Sequence, residues 1–459
     1  MLRKYIGDRA FYKRVMVLAL PIMIQNGITN FVNMLDNVMV GQVGTVQMNG
    51  VTVANQLIFV FNLCIFGAVS GAGIFGAQFA GSGDQKGIAH TLRFKLLFCT
   101  LLTVLGIGVF LLWGDGLISL YLRGEGDPAD AAASLEYARQ YIRIMLVGLL
   151  PYTVVQCYAS TLRETGQTMP PMVAGSVAVA VNLALNSILI FGLLGAPRLG
   201  VAGAAIATVV SRFVELLVVT VWTHTRKERN RYAVGLYRHF TIPRRLVGQI
   251  LIKGTPLMLN ETLWSLGMAT LSQQYSLRGL NVVSANNICQ TFFNVFSVAF
   301  MAVGVTVGIL LGQQLGAGDR EGARDASRKL IVFSVMVGTV VAVAYALCAG
   351  FIPRVYNTTD DIRQLATGLM LICAAAMPID AFAHASYFTL RSGGKAFITF
   401  LFDSGFMWVV SVPLAFLLVH FTGLDILWIY AICQGINLIK CIIGGVLVKQ
   451  GGWIRTIVE

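Results

Sequence analysis

The chain has 459 residues, of which 56% are apolar and only 12% charged, and its mean hydropathy of +0.73 exceeds what a water-facing globule of this size carries on its surface. That excludes an ordinary soluble protein and makes the membrane the class to test. The net charge of +13 suggests a nucleic-acid partner only until the basic residues are placed along the chain.

A helix needs roughly 20 predominantly apolar residues to cross about 30 Å of hydrocarbon. Taken in chain order, apolar runs of that length are predicted at 11–39, 49–78, 92–113, 137–162, 168–191 and 200–222. A long polar stretch then follows, THTRKERNRYAVGLYRHFTIPRR at 223–245, which reads as a basic connector and not a folded unit. Six more runs are predicted at 247–275, 284–311, 330–351, 365–390, 396–420 and 424–448. The first run is too long for the apolar core of a signal peptide, and no small-residue cleavage site follows it.

With the N-terminus inside, the inner side receives Arg3, Lys4, Arg9, Lys13, Arg14, Lys86, Arg93, Lys95, Arg163, the basic residues of the connector, Arg320, Arg324, Arg328, Lys329, Arg391, Lys395, Lys449 and Arg455. The outer side receives Arg123, Arg198, Arg278, Arg354 and Arg363, among acids such as Asp127, Asp130, Asp360 and Asp361. This is the positive-inside pattern, and it places both termini in the cytoplasm. The basic charge is topological, and no nucleic-acid partner is expected. The eight cysteines lie in apolar spans with no CxxC pair and read as small buried hydrophobes.

The chain repeats itself. Pro21 in LALPIMIQN returns as Pro256 in KGTPLMLNE, 235 residues later, and GSGDQKG (81–87) returns as GAGDREG (316–322) at the same offset. LRETGQ (162–167) and LRSGGK (390–395) form a third pair at an offset of 228. Six spans separate equivalent points, and an even number preserves direction. The expected fold is therefore an all-α integral membrane protein of twelve transmembrane helices in two six-helix lobes, 1–222 and 246–459, joined by 223–245 and related by a pseudo-two-fold axis along the membrane normal.

Two motif matches fail on context. GAGIFG (71–76) fits the dinucleotide GxGxxG pattern but ends a membrane span instead of opening a strand-to-helix turn. With GAVSG (67–71) and GVTVG (304–308) it reads as close helix packing. GSGD and GAGD resemble the GxGD of intramembrane aspartyl proteases, but both sit at watery cytoplasmic ends, and no HExxH or comparable catalytic cluster is present, so no enzyme is expected.

Ionisable groups inside a membrane helix are costly and therefore mark function by default. Asp36 lies in the outer part of the first helix beside a stripe of Asn26, Asn30, Asn33 and Asn37, and Asn182 and Asn186 share one face of the fifth at i, i+4. The asparagines serve equally well as interhelical hydrogen-bond partners. In the second half, Glu261 follows Pro256 and Asn260, and Asp380, His384 and Tyr387 line one face of the tenth helix. Two carboxylates sharing a space repel until a proton or cation comes between them. That makes Glu261 and Asp380 the expected coupling pair, together with Asp36, because no Lys or Arg lies in the same stretch of either helix. Arg212 with Glu215, and Asp403 with Lys440, read as structural pairs.

These marks resemble the multidrug and toxic compound extrusion (MATE) family, of the bacterial NorM-like kind, over essentially the whole chain: Pro21 and then Asp36 in NMLDNVMVG, the paired GSGDQKG and GAGDREG, LRETGQTMPPM (162–172) and GVAGAAIAT (200–208). The resemblance implies the MATE/MOP fold and cation-driven efflux of amphipathic, mainly cationic organic compounds. It also implies a first-half polar site at Asp36, Asn182 and Asn186, and second-half acids at Glu261 and Asp380. One departure stands out, because Asn186 occupies the place of an acid on the fifth helix of proton-coupled archaeal members. Sodium is favoured over the proton as coupling ion, held at Glu261 and Asp380 with neutral oxygens from around Pro256 and Asn260. A lipid-linked oligosaccharide flippase of the same superfamily is the alternative. No cofactor is implied beyond the coupling Na+ or H+, and the expected partners are small organic cations and membrane lipids, with the protein a monomer.

Overall fold

The computed structural model describes residues 5–122, 128–356 and 358–458, apart from the side chains of residues 33, 34, 37, 38, 120–122 and 128. Its long helices are α1 (Arg9–Gly41), α2 (Thr45–Ser82), α3 (Gln85–Leu122), α4 (Pro128–Glu164), α5 (Met169–Phe191), α6 (Val201–Thr225), α7 (Arg244–Ser276), α8 (Leu280–Gly316) and α9 (Arg320–Ala349). A four-residue turn of helix, Ile352–Val355, precedes α10 (Asp360–Ser392), and α11 (Ala396–Phe421) and α12 (Ile426–Gln450) complete the set. No strand occurs among the described residues. Eleven of these helices are long and apolar enough to cross a bilayer. The twelfth, α7, has the length but carries Asn260, Glu261, Gln273 and Gln274, which dilute its apolar run.

Helix is what a lipid solvent demands, since every backbone N–H must find its acceptor within the segment. Pro21, Pro151, Pro256 and Pro378 each sit inside such a helix, where neighbouring helices and side chains can compensate for the missing donor. One helix is wound differently. In α11, residues Leu401–Gly405 and Met407–Ser411 form π turns, a winding that often marks a working site.

The repeated loops explain their own sequences. Gly83 and Gly318 both adopt a left-handed φ, +75° and +79°, which lets the chain leave one helix and enter the next. The aspartate that follows then caps the new helix: Asp84 accepts the Lys86 N–H (3.0 Å) and Asp319 the Gly322 N–H (2.8 Å). GSGD and GAGD are thus helix-turn-helix punctuation. Gly166 and Gly394, from the third repeated pair, also share a left-handed φ.

The chain divides into two compact units, one of Ile24–Gly76 and Asp84–Ile250, the other of Leu251–Glu459 together with Met1–Met23 and Ala77–Gly83. Contacts inside the second unit explain why it takes two pieces of the first half. Val15, Leu18, Ala19 and Ile22 of α1 are buried in one cluster with Ala302, Val307 and Leu311 of α8 and Leu330 of α9. The end of α2 crosses α8 backbone to backbone: a Cβ on Gly81 would strike the Gln313 carbonyl, and a Cβ on Gly316 would strike the Gln78 carbonyl. Around this crossing the segment after α12 folds back. Gln78, fully buried, donates to the carbonyls of Ser392 (3.0 Å) and Arg455 (3.1 Å) and accepts the Ile457 N–H (2.7 Å), while Trp453 is buried in the same apolar cluster as Leu311 and Leu315.

The connector is more ordered than its composition suggests. Arg93 on α3 donates to the carbonyls of Leu236 (2.9 Å) and Gly235 (3.3 Å), and Asn230 links the Gln167 amide to the Thr223 carbonyl. Tyr232 and Leu236 are buried. The connector within residues 223–245 is therefore docked against its neighbours. Local composition predicts solubility, but here main-chain carbonyls are held by side chains far away in sequence. All eight cysteines are free, five of them buried.

Candidate functional site

In the first unit, α1, α5 and α6 assemble a chain of polar groups. The Asn186 amide donates to Asp36 Oδ1 (2.6 Å) and to Asn182 Oδ1 (3.1 Å), and Asn182 donates to Thr208 Oγ1 (3.3 Å). The i, i+4 spacing on α5 is what puts the two amides in line. Asn186 Oδ1 is buried without a hydrogen-bond partner among the described residues, so an uncommitted neutral oxygen stands beside a carboxylate. That donor set suits a hard cation or a proton. The charge of Arg212 acts on Asp36 from α6, while its guanidinium lies 4.6 Å over the Tyr152 ring and 3.6 Å from Glu215, the expected i, i+3 pair. Asn26 is exposed and Asn30 half-buried, and neither joins the chain. The side chains of Asn33 and Asn37 lie outside the described residues.

In the second unit, α7, α10, α11 and α12 build a longer chain. Tyr387 donates to Glu261 Oε1 (3.2 Å), Asn260 donates to Tyr387 (3.3 Å) and to Asp403 Oδ2 (3.0 Å), and Lys440 pairs with Asp403 Oδ1. His384 stacks on Tyr387 with ring centroids 6.4 Å apart and packs edge-on against Phe388 at 5.0 Å. Room for these rings comes from α8, where a Cβ on Gly304 would strike His384 and one on Gly308 would lie 2.9 Å from Phe388. GVTVG is thus a close-packing pattern in fact.

The expected pairing of Glu261 with Asp380 takes a different form. The charges acting on Glu261 are those of Arg391 and Asp403, the charge acting on Asp380 is that of Lys440, and no hydrogen bond joins Asp380 to the Glu261 chain among the described residues. No Lys or Arg lies in the same stretch of either helix, and the charges that act on the two acids come from farther away. Arg391 comes from the C-terminal end of α10, spanning the Tyr387 and Phe388 rings at 5.9 and 5.3 Å, and Lys440 comes from α12. Long flexible side chains carry charge well away from their own position in the chain.

A third polar cluster was not anticipated. Lys95, fully buried on α3, lies 2.7 Å from both oxygens of Glu164 and also contacts Ser160 (3.1 Å) and Thr161 (3.2 Å). Ser160 donates to Glu164 as well. Gly73 and Gly76 of α2 leave the space for this carboxylate, since a Cβ on either would press against it. The GAGIFG glycines therefore serve helix packing around an ion pair. A lysine three residues inside a predicted span is the available signal, hidden by its assignment to the inner-side charges.

A model of the MatE family matches the chain twice, over residues 21–188 and 256–417, beginning each time at the repeated proline. The chain belongs to the MATE family. It is a family of membrane transporters and not of enzymes. Among curated relatives, the probable multidrug resistance protein NorM of Thermotoga maritima is 25% identical over 91% of this chain and 88% of its own length. The multidrug resistance protein NorM of Aliivibrio fischeri is 26% identical over 88% and 86%. The outward-facing structure of a multidrug resistance MATE family transporter of the MOP superfamily superposes with a TM-score of 0.86 at 21% identity, covering 98% of this chain and 97% of that one. The fold is thus the MATE/MOP fold, and the protein is a multi-pass membrane protein.

Proposed function

We propose that this MATE-family chain exports amphipathic organic cations by alternating access, driven by inward movement of sodium, with 1–222 and 246–459 as its lobes and both termini in the cytoplasm. The observation that carries the reading is Glu261: a half-buried carboxylate in the middle of a long helix, held by the Tyr387 hydroxyl within a chain of polar groups. A carboxylate there is costly unless it works. The multidrug resistance names of the relatives support the substrate class. Antiport needs ion and substrate to favour different states or to compete for one site, and a carboxylate that binds either cation supplies the competition. Asp36 with Asn186 and Asn182 is the second ion-binding position in this reading, and Asp380 contributes to the field around Glu261.

Proteoliposomes given separate sodium and proton gradients test it, with ethidium as the transported probe. Ethidium efflux driven by sodium and abolished in Glu261→Gln, in protein that purifies as a folded monodisperse species, is the expected result. Efflux by Glu261→Gln at the wild-type rate and ion dependence would overturn the assignment of Glu261. Efflux driven by the proton gradient alone would favour the second reading, in which His384, stacked on Tyr387, belongs to a proton path.

A further inference from the structure

Asp403 and Lys440 look at first like a closed ion pair, but the second oxygen of Asp403 is bonded onward, and the direction of each onward bond can be worked out. The Ser404 N–H, in the π-wound part of α11, can only donate. It points at Asn260 (3.2 Å), as does the Ser404 hydroxyl (2.8 Å), so the Asn260 atom facing Ser404 is the carbonyl oxygen. The amide nitrogen must then face the other way, toward Asp403 Oδ2 at 3.0 Å and the Tyr387 oxygen at 3.3 Å. Asn260 is 1% exposed. Tyr387 accepts from Asn260 and therefore turns its one proton to Glu261 Oε1 (3.2 Å). The alignment is thus fixed: Asn260 donates to Asp403 on one side and to Tyr387 on the other, and Tyr387 donates to Glu261.

We propose that Asp403, held in place by Lys440, is a positioning residue for the Glu261 site: through Asn260 it fixes the Tyr387 hydroxyl as a donor to Glu261, and so sets how much coupling ion the transporter needs. This rests on the reading of Glu261 as the coupling acid. The ionised Asp403 carboxylate is acceptor-only, which prevents Asn260 from turning over. An amide in its place presents its own N–H₂ either to Lys440 or to Asn260, and the alignment is lost. Lys440 holds Asp403 in place, so that the relay is a property of the pair.

The experiment is a double-mutant cycle on sodium-driven ethidium efflux in proteoliposomes, reading the half-saturating sodium concentration at fixed pH and then the pH dependence at fixed sodium. Asp403→Asn is expected to shift the half-saturating concentration by about tenfold, roughly the strength of one hydrogen bond to a charged group. Tyr387→Phe is expected to shift it similarly. The Asp403→Asn/Tyr387→Phe double variant is expected to shift it no further than the larger single change, because both break one relay. Asp403→Asn/Lys440→Gln, which leaves no buried unpaired ammonium, gives the same reading if the single variant does not fold. Shifts that multiply in the double variant, or an Asp403→Asn protein with wild-type ion dependence, would overturn the relay while leaving Glu261 as the coupling acid. If Glu261→Gln itself retains sodium-driven efflux, the underlying reading fails and the relay with it.

Discussion

Lys95–Glu164 and Lys440–Asp403 are both lysine–carboxylate pairs inside apolar helices, one in each half of the chain, and the same two residue types are used in different ways. Glu164 is enclosed. Its oxygens are taken by Lys95 and Ser160, two glycines of α2 close over it, and Thr161 completes the ammonium's contacts. Asp403 is open at one oxygen, and that oxygen leads through Asn260 and Tyr387 to Glu261. Buried charge alone therefore does not identify a working site. The partners beyond the ion pair bear on it, since a chain of donors transmits a change at one end to the other.

The largest effect should come from breaking the enclosed pair. Lys95→Met or Glu164→Gln leaves a buried charge or a buried donor set unmatched, and each is expected to lower stability by about 3–5 kcal/mol. The expected readout is a drop in thermal melting in detergent, with Lys95→Met/Glu164→Met recovering much of it. Protein that survives should keep its sodium dependence, and a shifted dependence would erase the distinction between the two pairs. A smaller loss is expected at the first-unit chain. Asn186→Ala removes the donor to Asp36 and should cost about 1–3 kcal/mol, measurable by the same melting assay, and should weaken transport by removing the oxygen beside the carboxylate. The smallest effect belongs to a third lysine–carboxylate pair, Lys329–Asp325 on α9, where the aspartate side chain is half exposed. Lys329→Met should change stability by no more than about 0.5 kcal/mol. A loss comparable to that at Lys95 would mean that exposure does not separate these pairs.

The fold was legible because a lipid solvent leaves the sequence few options. Apolar runs mark the spans, and even α7 could be found by its length between two charged ends despite its polar middle. Asp36, Asn182 and Asn186 were readable as neighbours in part, since the i, i+4 spacing of the two asparagines needs only helix geometry. The second-unit chain was not readable in the same way. Asn260 and Asp403 meet across 143 positions, and the π winding that turns Ser404 toward Asn260 leaves no local pattern. Asp403 and Lys440 were recognised as a pair, but the oxygen that leads onward is a matter of packing. Glu164 was visible only as part of a repeated LRETGQ, and its lysine was counted with the surface charges.

The crossing of α2 and α8 bears on the history of the chain. A duplicated gene starts as two identical copies that are free to drift apart. Gly81 lies against the carbonyl of Gln313, and Gly316, 235 residues on, lies against the carbonyl of Gln78, itself 235 residues before Gln313. Each half thus presses on the backbone of the other at the matching place, and a side chain on either glycine would part the two helices. A side chain is excluded there by geometry. At the same offset Asn26 corresponds to Glu261 and Asp36 to Leu271, so the two halves match where backbone meets backbone and differ where the carboxylates sit.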